Sequence, residues 1–181
     1  MKVVTPRLDL VVLTAPLVAA LAAGDVTRAQ RLAPFPLDER TFADDGHVLA
    51  LRHAQLTIDP AQEPWLLHAA VLRDTGAVVG RVGFHAPPDA DGVVEIGYAT
   101  SRELRGQGLA REMAVGLINW AAGAGARTCL ASIRPDNTPS LAIADRLGFQ
   151  RIGEQIDDID GLEWVFALLL DGALPTYDGR R

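Results

Sequence analysis

The segment Arg105-Gly106-Gln107-Gly108-Leu109-Ala110 holds the residue types and spacing that most directly imply chemistry. Two glycines one residue apart let the backbone turn tightly and present successive N–H groups, and an amphipathic pattern begins directly behind them. A helix starting there adds about half a positive charge at its N-terminus, so loop and helix together form a cradle for a pyrophosphate. Arg105 and Arg111 flank the loop as cationic support. An ordinary glycine-rich helix start has the same appearance. A Rossmann fingerprint fits poorly, because Arg111 stands where the third glycine belongs and several strands precede the loop. A phosphate-binding loop ending in Gly-Lys-Ser/Thr is excluded, since Lys2 is the only lysine in the chain. An oxidoreductase reading survives only if this loop takes NAD.

The elements that must position the loop follow from periodicity and punctuation. Leu8–Leu13 reads as a strand, followed by one or two short helices to about Ala33, with Thr14 as cap and Pro16 in the first turn. Glu39–Leu56 has helical spacing interrupted by Gly46, and Pro60–Pro64 ends it. Trp65–Arg73, Val78–His85 and Val93–Thr100 are apolar runs separated by glycine-containing turns, the pattern of an antiparallel meander. Gly108–Gly123 places Leu109, Met113, Leu117 and Trp120 on one helical face. Arg127–Ile133 is a strand, and Pro139–Leu147 a helix capped by Asn137 or Thr138 and stopped by Gly148. Gln150–Ile156 and Leu162–Leu170 form a hairpin around the acidic turn Asp157–Gly161. The sum is an α+β chain with one central sheet and helices on both faces.

Composition narrows the class. With 181 residues, 49% hydrophobic and 22% charged, the chain reads as one domain with a core over about residues 5–170 and a polar tail, Asp171–Arg181, that frays. A net charge of −6 argues against a nucleic-acid partner. The single cysteine, Cys129, lies in an apolar run and reads as a buried thiol in a reducing, cytoplasmic setting. The apolar stretch Val11–Ala23 is broken by Thr14 and Pro16, which excludes a membrane span, and the basic-then-apolar layout of a secretion signal is missing. His47, His53, His68 and His85 lack metal-ligand spacing, so no metal is expected; His85 alone is kept as a possible acceptor contact.

On these residues the chain resembles the GNAT acyltransferase superfamily. Its first signature, Gln/Arg-x-x-Gly-x-Gly/Ala, is matched by Arg105–Ala110, and its second by Asn137-Thr138-Pro139-Ser140 opening a helix that closes Arg146-Leu147-Gly148-Phe149. Thr5-Pro6-Arg7-Leu8, Glu95-Ile96-Gly97-Tyr98 and the Asn-x-x-Ser pattern are most similar to the branch of ribosomal-protein-alanine N-acetyltransferases. The resemblance spans about residues 5–170 and implies a GNAT fold: a mostly antiparallel mixed sheet of six to seven strands whose fourth and fifth strands splay apart. The implied reaction is N-acetylation from acetyl-CoA by direct attack of a primary amine, on a small molecule or a protein N-terminus, in a ternary complex. A catalytically weak acyl-CoA-binding or regulatory module on the same fold is the alternative.

The resemblance assigns roles residue by residue. Gly106, Gln107, Gly108, Leu109, Ala110 and Arg111 with Arg105 form the pyrophosphate site; Tyr98, Ala99 and Thr100 form the strand end that pairs with the pantetheine arm; Asn137 contacts the cofactor. Glu95 is the candidate base, acting through water, against the reading of an exposed strand residue or ion-pair partner. Many relatives carry a tyrosine where this chain has Ala144, so Ser140 becomes the candidate donor to the departing thiolate, unless it only satisfies backbone groups of its helix. The Asp157–Asp160 turn is either a solvated hairpin end or a subsite for a cationic amine. Homodimerisation is common among similar proteins, and no residue pattern here demonstrates it.

Overall fold

The computed structural model describes residues 1–172, 174–177 and 179. In chain order the elements are β1 (Lys2–Val4), β2 (Leu8–Val12), α1 (Ala15–Ala22), α2 (Val26–Leu32), α3 (Gly46–Ile58), α4 (Glu63–Leu66), β3 (His68–Leu72), β4 (Val78–Phe84), β5 (Val93–Thr100), α5 (Leu109–Gly123), β6 (Thr128–Ile133), α6 (Thr138–Arg146), β7 (Gln150–Asp157) and β8 (Gly161–Leu169). One sheet runs β1-β2-β3-β4-β5-β6-β8-β7. Every neighbouring pair is antiparallel except β5 with β6.

The sheet has eight strands, one more than the six to seven the resemblance implies. The addition is β1, three residues long and mostly exposed, which carries no apolar alternation and is held by its pairing with β2 and by Val3, which packs on the core beneath α5. Two further differences have local causes. Trp65 and Leu66 belong to α4 rather than to a strand, because Pro64 sits in a first helical turn and Glu63 binds the Ala15 amide at 2.7 Å. That same carboxylate caps α1, whose expected cap Thr14 makes no side-chain bond. Upstream, α3 starts at Gly46 rather than Glu39, since Asp38 accepts from the amides of Arg40 and Thr41 and ties residues 38–41 into a turn.

The alternation of β3 shows how the sheet separates two cores. Ala70 faces a cluster containing Phe84, Met113, Leu117, Ile118 and Ala144, beneath α5 and α6. Ala69 and Val71 face a second cluster with Leu17, Val18, Leu49 and Leu56, beneath α1 and α3. Helices therefore cover both faces. His68 is wholly buried against Trp120, and burial pushes its pKa down to about 4, so it is a neutral core residue. Cys129 is likewise buried and its thiol is pushed up to about 12, which leaves it unreactive.

The tail expected to fray is docked where it is described. Leu174 and Tyr177 pack on the core beneath α5, and Asn119 donates to the Pro175 carbonyl at 3.2 Å. Residues 173, 178, 180 and 181 of that expected tail lie outside the described residues.

Candidate functional site

At the mouth of the sheet, Gly106 and Gly108 both adopt left-handed backbone angles, with φ 76° and 75°. Only glycine takes these without cost, and alternating left-handed residues turn their N–H groups to one side as an anion nest. Among the described residues, none of the amides of Gly106, Gln107 and Gly108 donates a backbone hydrogen bond. The first turn of α5, with Leu109, Ala110 and Arg111, adds amides that its own helix cannot satisfy. A Cβ added at Gly106 would meet no atom within 4 Å, so the space over the nest is open. Arg105 is tied back to the strand end, its Nε 3.3 Å from the Thr100 carbonyl, and the Arg111 guanidinium lies 5.1 Å from the Tyr177 ring.

The underside of this loop is fastened by residues far away in sequence. Glu112, wholly buried in the first turn of α5, accepts from the Thr5 hydroxyl, the Arg7 amide and Arg7 Nε, each at 2.7 Å. The Arg7 guanidinium continues to the Gln107 carbonyl at 3.1 Å and to the Tyr177 hydroxyl at 2.6 Å. Thr5-Pro6-Arg7 therefore holds the cradle from below, and the negative charge of Glu112 suits a helix N-terminus. Glu112→Gln keeps the shape of this clasp and removes its charge; a loss of about 2 kcal/mol of unfolding free energy is expected. Urea denaturation measures it, and an unchanged midpoint would show that the clasp contributes nothing.

From the cradle the free edge of β5 leads inward. β5 and β6 pair only at Val93↔Thr128, Val94↔Cys129 and Glu95↔Leu130, and beyond that point the strands diverge while β4 continues to pair with β5 as far as Thr100. The backbone groups of Tyr98, Ala99 and Thr100 on that edge thus lie along an opening between two strands, the expected splay. An extended chain carrying amides fits such an edge, and a diphosphate fits the nest at its end.

Where the splay begins, a cavity of about 410 Å³ contains Glu95. The His85 ring crosses it: its Nδ1 stands 3.6 Å from Glu95 Oε2, and its Nε2 lies 3.4 Å from where a Cβ on Gly97 would be, so Gly97 makes room for the imidazole. The neighbouring His85 imidazole, and secondarily the Ser132 hydroxyl, hold the Glu95 carboxyl below its usual pKa against the opposing effect of burial, so it is ionised at neutral pH. Gln155 bridges Ser132 Oγ at 3.2 Å and the buried Glu163 at 3.1 Å. Asp157 and Asp160 line the same cavity; Asp157 also accepts from the amides of Ile159 and Asp160, which hold its pKa down and fix the turn. The acidic turn is thus both a closed hairpin end and a wall of the cavity.

On the opposite face of β5, Tyr98 points toward α6. Burial pushes its phenol pKa up and the adjacent Ser140 hydroxyl partly offsets this, so the two candidate groups stand together. Asn137 does cap α6, its Oδ1 accepting from the Ser140 amide at 3.3 Å. Glu95 and Ser140 therefore approach the splay from its two sides.

Arg52, Ser132, Gln155 and Glu163 were not singled out from the sequence. For Arg52 a signal existed: Leu49, Arg52 and Leu56 share the buried face of α3, an arginine in an apolar register. Ser132, Gln155 and Glu163 are ordinary strand residues that only the sheet brings together. Among the described residues no group of His, Cys, Asp and Glu side chains could hold a metal ion, and no helix is long and apolar enough to cross a membrane.

A family model described as "Acetyltransferase (GNAT) domain" matches residues 10–150. The "Uncharacterized N-acetyltransferase YjdG" of Bacillus subtilis (strain 168) is 35% identical over 88 residues, covering 48% of this chain and 51% of that protein. The similarly described p20 of Bacillus licheniformis is 32% identical over 84 residues, covering 46% and 47%. The chain thus spans about half the length of the curated relatives it matches. Among solved structures, a ribosomal-protein-S5-alanine acetyltransferase from Vibrio fischeri superposes with a TM-score of 0.64 at 17% identity, over 94% of this chain and 97% of that one. Mycobacterium smegmatis RimJ, solved with a CoA-disulfide, gives 0.62 at 18% identity, over 93% and 87%.

Proposed function

The chain belongs to the acetyltransferase (GNAT) domain family, and from that premise we infer that it is an acetyl-CoA-dependent N-acetyltransferase acting on a primary amine. The observation that carries this reading is the opening between β5 and β6, which joins the nest at Gly106 and Gly108 to the carboxylate of Glu95.

Acetyl-CoA supplies the thioester: one C–N bond forms, one C–S bond breaks, and the proton lost by the amine ends on the leaving thiol. The amides of Gly106–Arg111 bind the diphosphate, and the Tyr98–Thr100 edge orients the arm. Glu95, already ionised, draws the proton from the attacking amine through water. The need for this depends on the acceptor: a lysine-like amine of pKa about 10.4 is neutral roughly once in 10³ at pH 7, a deficit of about 4 kcal/mol, whereas an α-amine near 8 loses about 1. Ser140 donates toward the sulfur, with the Tyr98 phenol behind it. This phenol, reaching the region from β5, compensates for Ala144 in the position of the usual tyrosine, and so weighs against the weak acyl-CoA-binding alternative.

Two measurements test the reading. CoA and acetyl-CoA should raise the melting temperature where NAD does not. Acetyl-CoA with a panel of amines should then release free thiol in proportion to acetylated amine. Stabilisation by NAD alone, or binding of acetyl-CoA without thiol release on any amine, would refute it.

A further inference from the structure

The acceptor cavity has a second pole. Arg52 on α3 lines it, is only 7% exposed, and spends both of its protein hydrogen bonds from Nη1: 2.7 Å to Gln55 Oε1 and 3.1 Å to the His85 carbonyl. Its Nε is sealed from water and has no acceptor. The neighbouring Arg81 is paired with Asp45. Among the described residues no carboxylate pairs with Arg52. A buried guanidinium left in this state is costly, and with Nε sealed it is Nη2, which donates to no acceptor among the described residues, that is left to take a carboxylate oxygen in a charge-assisted bond.

Across the cavity stand Glu95, Asp157, Asp160 and Glu163, partly offset by Arg134, which is 3.9 Å from Asp160, and by His85. The two poles are close: Arg52 binds the carbonyl of the residue whose imidazole lies beside Glu95. A simple diamine would satisfy the acidic side and leave Arg52 facing a cation. A group with an amine and a carboxylate on one carbon satisfies both.

We propose that the acceptor is a free α-amino acid, its carboxylate on Nη2 of Arg52 and its amine at Glu95. This rests on the acetyltransferase reading and deepens it. It makes Arg52 the residue that selects zwitterionic acceptors, through binding rather than chemistry.

The test pairs each common L-α-amino acid with its carboxamide, adding a simple alkylamine and short peptide amides, with acetyl-CoA and a free-thiol readout. At least one free amino acid should exceed its carboxamide by about 10-fold or more in kcat/KM, with the difference in KM. Arg52→Gln should cost that amino acid about 100-fold and abolish the preference, and Arg52→Lys should restore part of it. Should Arg52→Gln fold poorly, the wild-type comparison decides alone. Carboxamides, alkylamines or peptide amides accepted as well as the free amino acids would overturn the proposal while leaving N-acetylation intact. An Arg52→Gln loss equal across all acceptors would also overturn it, leaving Arg52 as a prop for the end of β4. Acetyl-CoA binding without thiol release on any amine would instead remove the acetyltransferase reading and this proposal together.

Discussion

A Gly108→Val variant is expected to fold and yet to show no rise in melting temperature with CoA. Gly108 stands at φ 75°, ψ 7°, directly before α5. A β-branched residue is strained there by about 1–2 kcal/mol, which the loop relieves by leaving the left-handed conformation. The nest then loses its shape: the amides that faced one side point apart, while the core beneath α5 is untouched. Two charge-assisted bonds of about 1.5–3 kcal/mol each correspond to a weakening of at least about 100-fold. Calorimetric titration with CoA measures the affinity, and circular dichroism confirms that the variant is folded. A folded variant with undiminished affinity would move the diphosphate site elsewhere.

Glu95→Gln should bind acetyl-CoA normally and turn over about 10²–10³-fold more slowly at neutral pH. Because the wild-type carboxyl is held below its usual range, Glu95 is ionised throughout the neutral region and its own titration lies on the acid side. The rise of the wild-type rate toward alkaline pH therefore reports deprotonation of the acceptor amine, whose pKa is near 8 for a peptide α-amine and higher for a free amino acid, where the adjacent carboxylate stabilises the ammonium. With glutamine in place, the amine must lose its proton unaided, so the deficit narrows as the pH rises and the amine becomes neutral without help. An unchanged rate and pH profile would remove Glu95 from proton transfer and leave it as an ion-pair partner of His85.

What the residues revealed unaided were the features whose determinants lie close together in the chain. Gly106 and Gly108 announced a turn into a helix because left-handed backbone angles are a local property. Asn137 announced its cap for the same reason. The splay of β5 from β6 was implied by likeness to a family and not by any local pattern, since a strand that stops pairing after Glu95 looks no different from one that continues. β1 escaped notice because three mostly exposed residues have no periodicity to read. The roles of Arg52 and Glu112 are not legible in the sequence because the meaning of a buried charge lies in its partner: for Glu112 that partner is Arg7, and Arg52 lines a cavity walled by residues from seven elements. Trp65 reads as strand by its apolar character, whereas Pro64 beside it sets a first helical turn.

The clasp beneath the loop has a consequence for how the molecule acquires its binding site. Glu112 meets the Arg7 amide across 105 residues, and Arg7 meets Tyr177 across 170. Closing contacts of that separation costs more chain entropy than closing a hairpin such as β7–β8. The backbone angles of the anion nest are local, but its fastening is not. That fastening is complete only when the segment before β2, α5 and the residues around Tyr177 have come together, so an anion bound at the nest stabilises the association of all three.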